Sequence, residues 1–298
     1  MAIIAVGPEF SIDGPLPRKP RFTLVDATLI ADAVPDTDED AGSERWANGI
    51  AVHGYPQELG STWGVCADAS PNLKDSQEFP IPLPKFGPLT VYVTETCSSP
   101  YIRSPEDFRA RALAVFAAVE SAAVAAEFET GVWVPDNPHL GDTNLDVLNG
   151  GVATTLADGI AQLEDAIAGT HRQGVIHITA GTAFALSATA GSEVLHWEGG
   201  KLYTINGNLV IPDFGYTGVA PEGESANVGS EVWAYATGPV ETLRTSQPII
   251  IPDTISEALD RLNNTVEYRA ERYYIPFWDT SLQAGIRIDR CLTECGGS

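Results

Sequence analysis

The sequence predicts an α+β fold from one long helix, a compact α/β stretch in mid-chain and two strand patterns near the end. Ser104-Pro105-Glu106-Asp107 reads as a helix start: a hydroxyl cap, proline at the first helical position, and two acids on the positive end of the dipole. Phe108, Ala112, Val115, Phe116, Val119, Ala123 and Ala126 then recur at three- and four-residue steps, with no breaker before Gly131. About 25 residues at the helical rise make a rod of roughly 38 Å. Farther on, residues 265–274 alternate charged with apolar or small side chains, and residues 283–289 form a second strand. The pair reads as a returning β ribbon.

The remaining elements follow in order. Residues 1–43 are arm-like, because prolines at 8, 15, 17, 20 and 35 deny regular helix. A basic knot, Arg18-Lys19-Pro20-Arg21, precedes the acidic run Asp36–Asp40, and Phe22-Thr-Leu-Val25 reads as one short strand. The arm is too apolar for a free tail, so it is expected to lie on a neighbouring surface. Residues 44–100 read as an extended excursion with strands at 45–53 and 89–96, separated by a stretch rich in proline, glycine and serine. Two strands do not stabilise so long a hairpin on their own, so a partner surface is expected to hold it. After a loop at 132–152, Leu156, Ile160, Leu163 and Ile167 mark one face of a helix that ends at Gly169. Residues 174–179 read as a buried strand and 182–189 as a short helix. Residues 201–211 form a hairpin turning at Asn206-Gly207, 231–236 and 248–251 are strands, and 256–262 a short capped helix.

Composition limits the function. The 298 residues suffice for one elaborated domain or two, and 44% apolar content argues against general disorder. No apolar run is long enough to span a membrane, and the first residues lack the basic region of a secretory signal. Synthesis in a cytoplasm is the expectation. Forty acids against seventeen bases give a net charge of −23, which disfavours gripping nucleic acid or anionic lipid but not enclosing DNA. Cys66, Cys97, Cys291 and Cys295 are too few for a disulfide framework and are expected as free thiols. Asp36–Gly42 imitates the start of a calcium loop, but its glycine falls one place late and Ala47 stands where a bidentate glutamate belongs. His53, His139, His171, His177 and His196 show no metal-ligand spacing, and His177 inside an apolar strand reads as a core histidine. Ser61, Ser187 and Ser192 lie in no nucleophile elbow, and no phosphate-binding glycine loop occurs. No enzyme, cofactor or metal is expected.

Asn264-Thr-Val-Glu-Tyr-Arg-Ala-Glu-Arg272, followed by an apolar strand, resembles a stretch near the C-terminus of HK97-like major capsid proteins of tailed bacteriophages. Gly200–Asp213 is similar to the hairpin of their axial domain. The whole chain also resembles structural proteins of phages infecting actinobacteria. The resemblance implies an N-terminal arm (1–43), an E-loop hairpin and flanks (44–100), and a peripheral domain with a spine helix (101–150). It further implies an axial domain (151–255) and a return to the peripheral domain (256–298). The implied role is a virion shell of hexamers and pentamers, assembled in the host cytoplasm around double-stranded DNA that it does not bind specifically. Scaffold, portal and decoration proteins are implied partners. Alternatives are an encapsulin-type nanocompartment and a phage tail or connector protein. Some relatives join an E-loop lysine to a neighbour's asparagine; Lys74, Lys85, Asn263 and Asn264 supply the residue types without a diagnostic context. Among the six tryptophans, Trp46 and Trp63 sit on the excursion, which has no core of its own, so with Lys74 and Lys85 they are the candidate inter-subunit contacts.

Overall fold

The computed structural model describes residues 16–33, 49–52, 83–97, 105–189, 195–263 and 265–291. In chain order they form α1 (Leu24–Thr28), β1 (Leu29–Ala33), β2 (Ile50–Ala51), β3 (Lys85–Phe86), β4 (Leu89–Cys97) and α2 (Pro105–Thr130). Next come β5 (Asp146–Val147), a 3₁₀ turn (Leu148–Gly151), α3 (Leu156–Ala168), β6 (Val175–Thr179), α4 (Ala180–Thr189), β7 (Leu195–Glu198), β8 (Lys201–Thr204) and β9 (Leu209–Asp213). The last are β10 (Glu231–Thr237), β11 (Val240–Thr245), β12 (Ile249–Ile251), α5 (Ile255–Ala258), β13 (Leu259–Asp260), β14 (Thr265–Trp278) and β15 (Gln283–Asp289).

Two sheets organise these elements. In the first, β14 is the hub. One edge pairs antiparallel with β4 from Val266 to Tyr274, while the other meets β13, β12 and β11 in turn. β1 closes this sheet, parallel to β11. The second sheet runs β5-β15-β10-β6-β9-β8-β7. Thus β14 and β15 do not pair as a ribbon; each joins a different sheet. Strands β11 and β12, from residues 151–255, belong to the first sheet, and β15, from residues 256–298, to the second.

Strand parity explains why β6 is buried throughout. Side chains alternate between the faces of a strand. Ile176, Ile178, Val232, Ala234 and Ala236 face one core, where α3 contributes Leu156, Ile160, Leu163 and Ile167. Val175, Trp233 and Tyr235 face a second core, shared with Phe116, Val124 and Phe128 of α2 and Tyr274 and Trp278 of β14. The second sheet therefore lies between α3 and α2.

α2 differs from its predicted face. Phe108, Ala112, Phe116, Val124 and Phe128 are buried at four-residue steps, and Glu120 fills the missing place in the series. Val119 and Ala123, expected inward, are exposed. Glu120 is held by β14: Arg272 Nη1 donates to its Oε2 at 2.9 Å and the Tyr274 hydroxyl donates to the same oxygen. Glu129 accepts from Thr217 N–H (2.7 Å), Thr217 Oγ1 (2.9 Å) and Gly218 N–H (2.8 Å) on the segment after β9. Asp213, the last residue of β9, accepts from Leu24 N–H (2.6 Å), Gly215 N–H (2.8 Å) and Ser121 Oγ (3.4 Å). Burial raises the pKa of the Glu129 and Asp213 carboxyls from the ordinary carboxylate values, against the opposing pull of these hydrogen bonds. Gly215 comes so close to the helix that a Cβ there would lie 2.0 Å from the Ala122 carbonyl oxygen. The helix ends on Gly131 at φ +60°, where a Cβ would also strike the His139 ring at 2.5 Å.

Several other expectations change. Residues 24–28 form a helix where a strand was expected at 22–25, and the Thr23 hydroxyl caps it by accepting from Asp26 N–H. Leu24 and Val25 are buried in this chain's own core, so this part of the arm packs on its own subunit. The helix expected at 256–262 stops at Ala258, where β13 begins. Strands β1, β3, β5, β7, β11 and β13 were not anticipated. Helix α3, the 201–211 hairpin and strands β6, β10 and β15 match their predicted positions within two residues.

His177 is a core histidine, as expected, fully enclosed between Tyr216 (2.9 Å from Nδ1) and Thr237 Oγ1 (3.0 Å from Nε2). Thr237 donates its own proton to the Gly238 carbonyl, so it accepts from Nε2–H, and Nδ1 accepts from Tyr216. Burial pushes the His177 pKa down to about 3.

Two predictions follow from these buried groups. Arg272→Met strands the Glu120 carboxylate and should cost about 3–5 kcal/mol in chemical denaturation, most of it recovered by Glu120→Leu in the same chain. If the double variant is no more stable than the single, the pair is not the source. For His177 the folded pKa lies below the unfolded one, so its contribution is complete above about 6.5 and is lost as pH falls. The stability difference between the natural protein and His177→Gln should therefore shrink by about 1.4 kcal/mol per pH unit below 6.5. A difference that is flat between pH 7 and 5 would show that His177 is not held neutral.

Candidate assembly surfaces

Three of the four predicted contact residues, Trp46, Trp63 and Lys74, lie outside the described residues, as do Asn264, Cys66, Cys295, Ser61, Ser192, His53 and the acidic run at 36–40. The fourth, Lys85, is exposed on β3. Asn263 is exposed too, its amide donating to Asp260 at 2.7 Å, and Cys291 is a free exposed thiol. Ser187 is exposed on α4 and donates to the Ala183 carbonyl. Among the described residues, no three His, Cys, Asp or Glu side chains are grouped to hold a metal ion, and no helix is long and apolar enough to cross a membrane.

The excursion is anchored by a short stem. Ile50 and Ala51 pair antiparallel with Phe86 and Lys85. Phe86 is wholly buried, its ring 4.8 Å from that of Trp278 in an edge-on contact. Asn137 grips the adjoining backbone twice: Gly87 N–H donates to its Oδ1 at 2.6 Å, and its Nδ2 donates to the Gly87 carbonyl at 2.9 Å. β4 pairs with β14, and among the described residues Ile50 and Ala51 pair with β3 and not with β4. The chain therefore leaves for residues 53–82 and returns at a fixed point on the first sheet.

Beside this stem an open groove of about 620 Å³ runs between β4 and the C-terminal half of α2, lined by Leu89, Tyr92, Ala123, Ala126 and Trp133. Trp133 is 84% exposed and Tyr92 62% exposed. The tryptophan is not on a loose loop. The buried Glu127 carboxylate accepts from Trp133 N–H at 3.0 Å and from Val134 N–H at 2.7 Å, so the turn after α2 wraps around it. A rigid, exposed aromatic beside an apolar groove is the kind of anchor that interfaces use. Trp233 and Trp278, by contrast, are core residues. The sequence signal for Trp133 was present in the order of Glu127, Gly131 and Trp133, but the carboxylate's inward aim is a tertiary fact.

No family model matches the chain, and no curated protein does. Solved structures are similar in fold. The capsid of Ralstonia phage GP4 superposes with TM-score 0.53 at 10% identity over 100% of both chains. Gordonia phage Cozz gives 0.52 at 12% identity, over 96% of this chain and 91% of that one. Mycobacterium phage Ogopogo gives 0.51 at 13% identity, over 94% and 96%. The chain has the α+β, HK97-like capsid fold.

If Glu127 sets the turn, Glu127→Ala should speed amide exchange at Trp133 and Val134 and cost about 1–3 kcal/mol, since two part-buried N–H groups lose a charged acceptor. Trp133→Ala should change subunit stability by no more than about 0.5 kcal/mol, because the ring is exposed. Unchanged exchange in the first variant would remove Glu127 from this role.

Proposed function

We propose that this protein is a major capsid protein, whose copies assemble as hexamers and pentamers into the icosahedral head of a tailed phage. The observation that carries the reading is the end-to-end match of the fold to the capsid of Ralstonia phage GP4. The first sheet with α2 serves as the peripheral domain, and the second sheet with α3 and α4 as the axial domain. Residues 53–82, leaving from the β2–β3 stem, serve as the E-loop over an adjacent subunit, carrying Trp63 and Lys74 there.

The groove beside Trp133 supplies one apolar contact between copies. The net charge of −23 sets the opposing force, since like-charged subunits repel and salt screens that repulsion. The same charge suits a shell that encloses DNA without gripping it. The site of action is then the virion, after assembly in the host cytoplasm, with scaffold, portal and decoration proteins as further partners. No observation favours an encapsulin-type shell or a tail protein over the phage head.

Purified protein should form closed particles in micrographs and fast-sedimenting species, more abundantly at about 0.5 M salt than at 0.05 M. Trp133→Ala should reduce the particle yield at unchanged subunit melting temperature. A single-chain species at every salt concentration, with co-expressed neighbouring genes included, would overturn the shell reading.

A further inference from the structure

The N-terminal arm enters the described structure at an aromatic surface on the second sheet. Phe22, held at φ +62°, lays its ring 4.1 Å from that of Trp197 on β7. With Phe184 of α4 and Phe214 after β9 they surround a depression of about 240 Å³, also lined by Ala183 and Pro212. Phe184 is 77% exposed, Phe214 65% and Trp197 54%. Four large aromatic rings open together on one face of a folded subunit call for a cover.

We propose that residues 1–15 of the same chain turn back and cover this depression, bringing Phe10 and Ile12 onto its aromatic rim. Position comes first: Arg21 and Phe22 both line the depression, and Leu16 stands only six residues before Phe22. Composition comes second. Ile3, Ile4, Val6, Phe10 and Ile12 supply apolar side chains in a segment whose only charged side chains are Glu9 and Asp13, and Arg21 offers those acids a cation at the rim. Asp13-Gly14-Pro15 joins two turn signals at the point where the chain has to reverse. Continuity is the last argument. From Thr23 to Thr28 the same arm is already built into its own subunit: Leu24 is bound to Asp213, and the Ala27 carbonyl accepts from Lys201. A tethered segment also reaches its site at an effective concentration in the millimolar range, which a separate molecule does not match at ordinary protein concentrations. The proposal goes beyond the shell reading and does not depend on it.

The test is a disulfide trap in a full-length chain whose four cysteines are replaced by serine, carrying Phe10→Cys and Ser187→Cys, the latter on the lining of the depression. Mild oxidation should close a bond within one chain at least tenfold faster than in a control pairing Phe10→Cys with Thr143→Cys, an exposed site that does not line the depression. In the natural-cysteine background, deleting residues 1–13 should increase binding of a hydrophobic dye severalfold, and Phe184→Ser in the shortened chain should reverse most of it. Equal trapping rates, no dye increase, or cross-links only between chains when the singly substituted variants are mixed would each overturn the proposal. Particle formation, scored in micrographs of the same samples, reports on the shell reading alone.

Discussion

The fold turns on the burial of carboxylates along α2. Glu120, Glu127 and Glu129 all lie inside, and a buried charge is tolerated only where donors meet it. Each draws its donors from a different part of the molecule: Arg272 and Tyr274 in the first sheet, the turn at Trp133, and the segment at Thr217 and Gly218. A one-residue rotation of the helix, about 100°, would strand all three together. These polar contacts therefore set the rotation of the helix against both sheets, while Phe116, Val124 and Phe128 supply the cohesion.

That arrangement also explains what was legible in the sequence. Helix α3 and strands β6 and β10 are read correctly because each faces an apolar environment with an unbroken period. α2 is read correctly as a helix and incorrectly as a face. Glu120 occupies a core position, so a rule that keeps acids outside rotates the predicted stripe towards Val119 and Ala123. The partner that makes Glu120 tolerable, Arg272, lies 152 residues away. The same distance in sequence hides β11, whose pairing with β14 gives it a place that its own residues, Val-Glu-Thr-Leu-Arg-Thr, do not announce. α1 was hidden by the prolines before it, which end at Pro20 and leave Thr23 free to cap.

For the candidate surfaces the balance is different. The sequence singles out Trp46 and Trp63 alone, and the structure divides the tryptophans it describes: Trp233 and Trp278 inside, Trp133 and Trp197 outside. Nothing in the local residues makes that division, because Val132 and Val134 flank Trp133 as a core strand would. The buried carboxylate of Glu127 decides it by holding the backbone of that turn and leaving the ring no inward path. Fixing such a ring in place lowers the entropy lost when a partner covers it.

The role of β14 as hub bears on the order in which the molecule is made. Ribosomes deliver the chain at roughly 5–20 residues per second, so the 152 residues between Glu120 and Arg272 separate their emergence by roughly 8–30 seconds. Throughout that interval β4 lacks the strand it pairs with, β11 lacks it too from the moment it is made, and the Glu120 carboxylate of α2 has no cation to meet. Non-local pairings of this kind form late and slowly. The first sheet is thus completed only after translation has passed Trp278, and a nascent chain halted before that point offers no finished subunit to its neighbours.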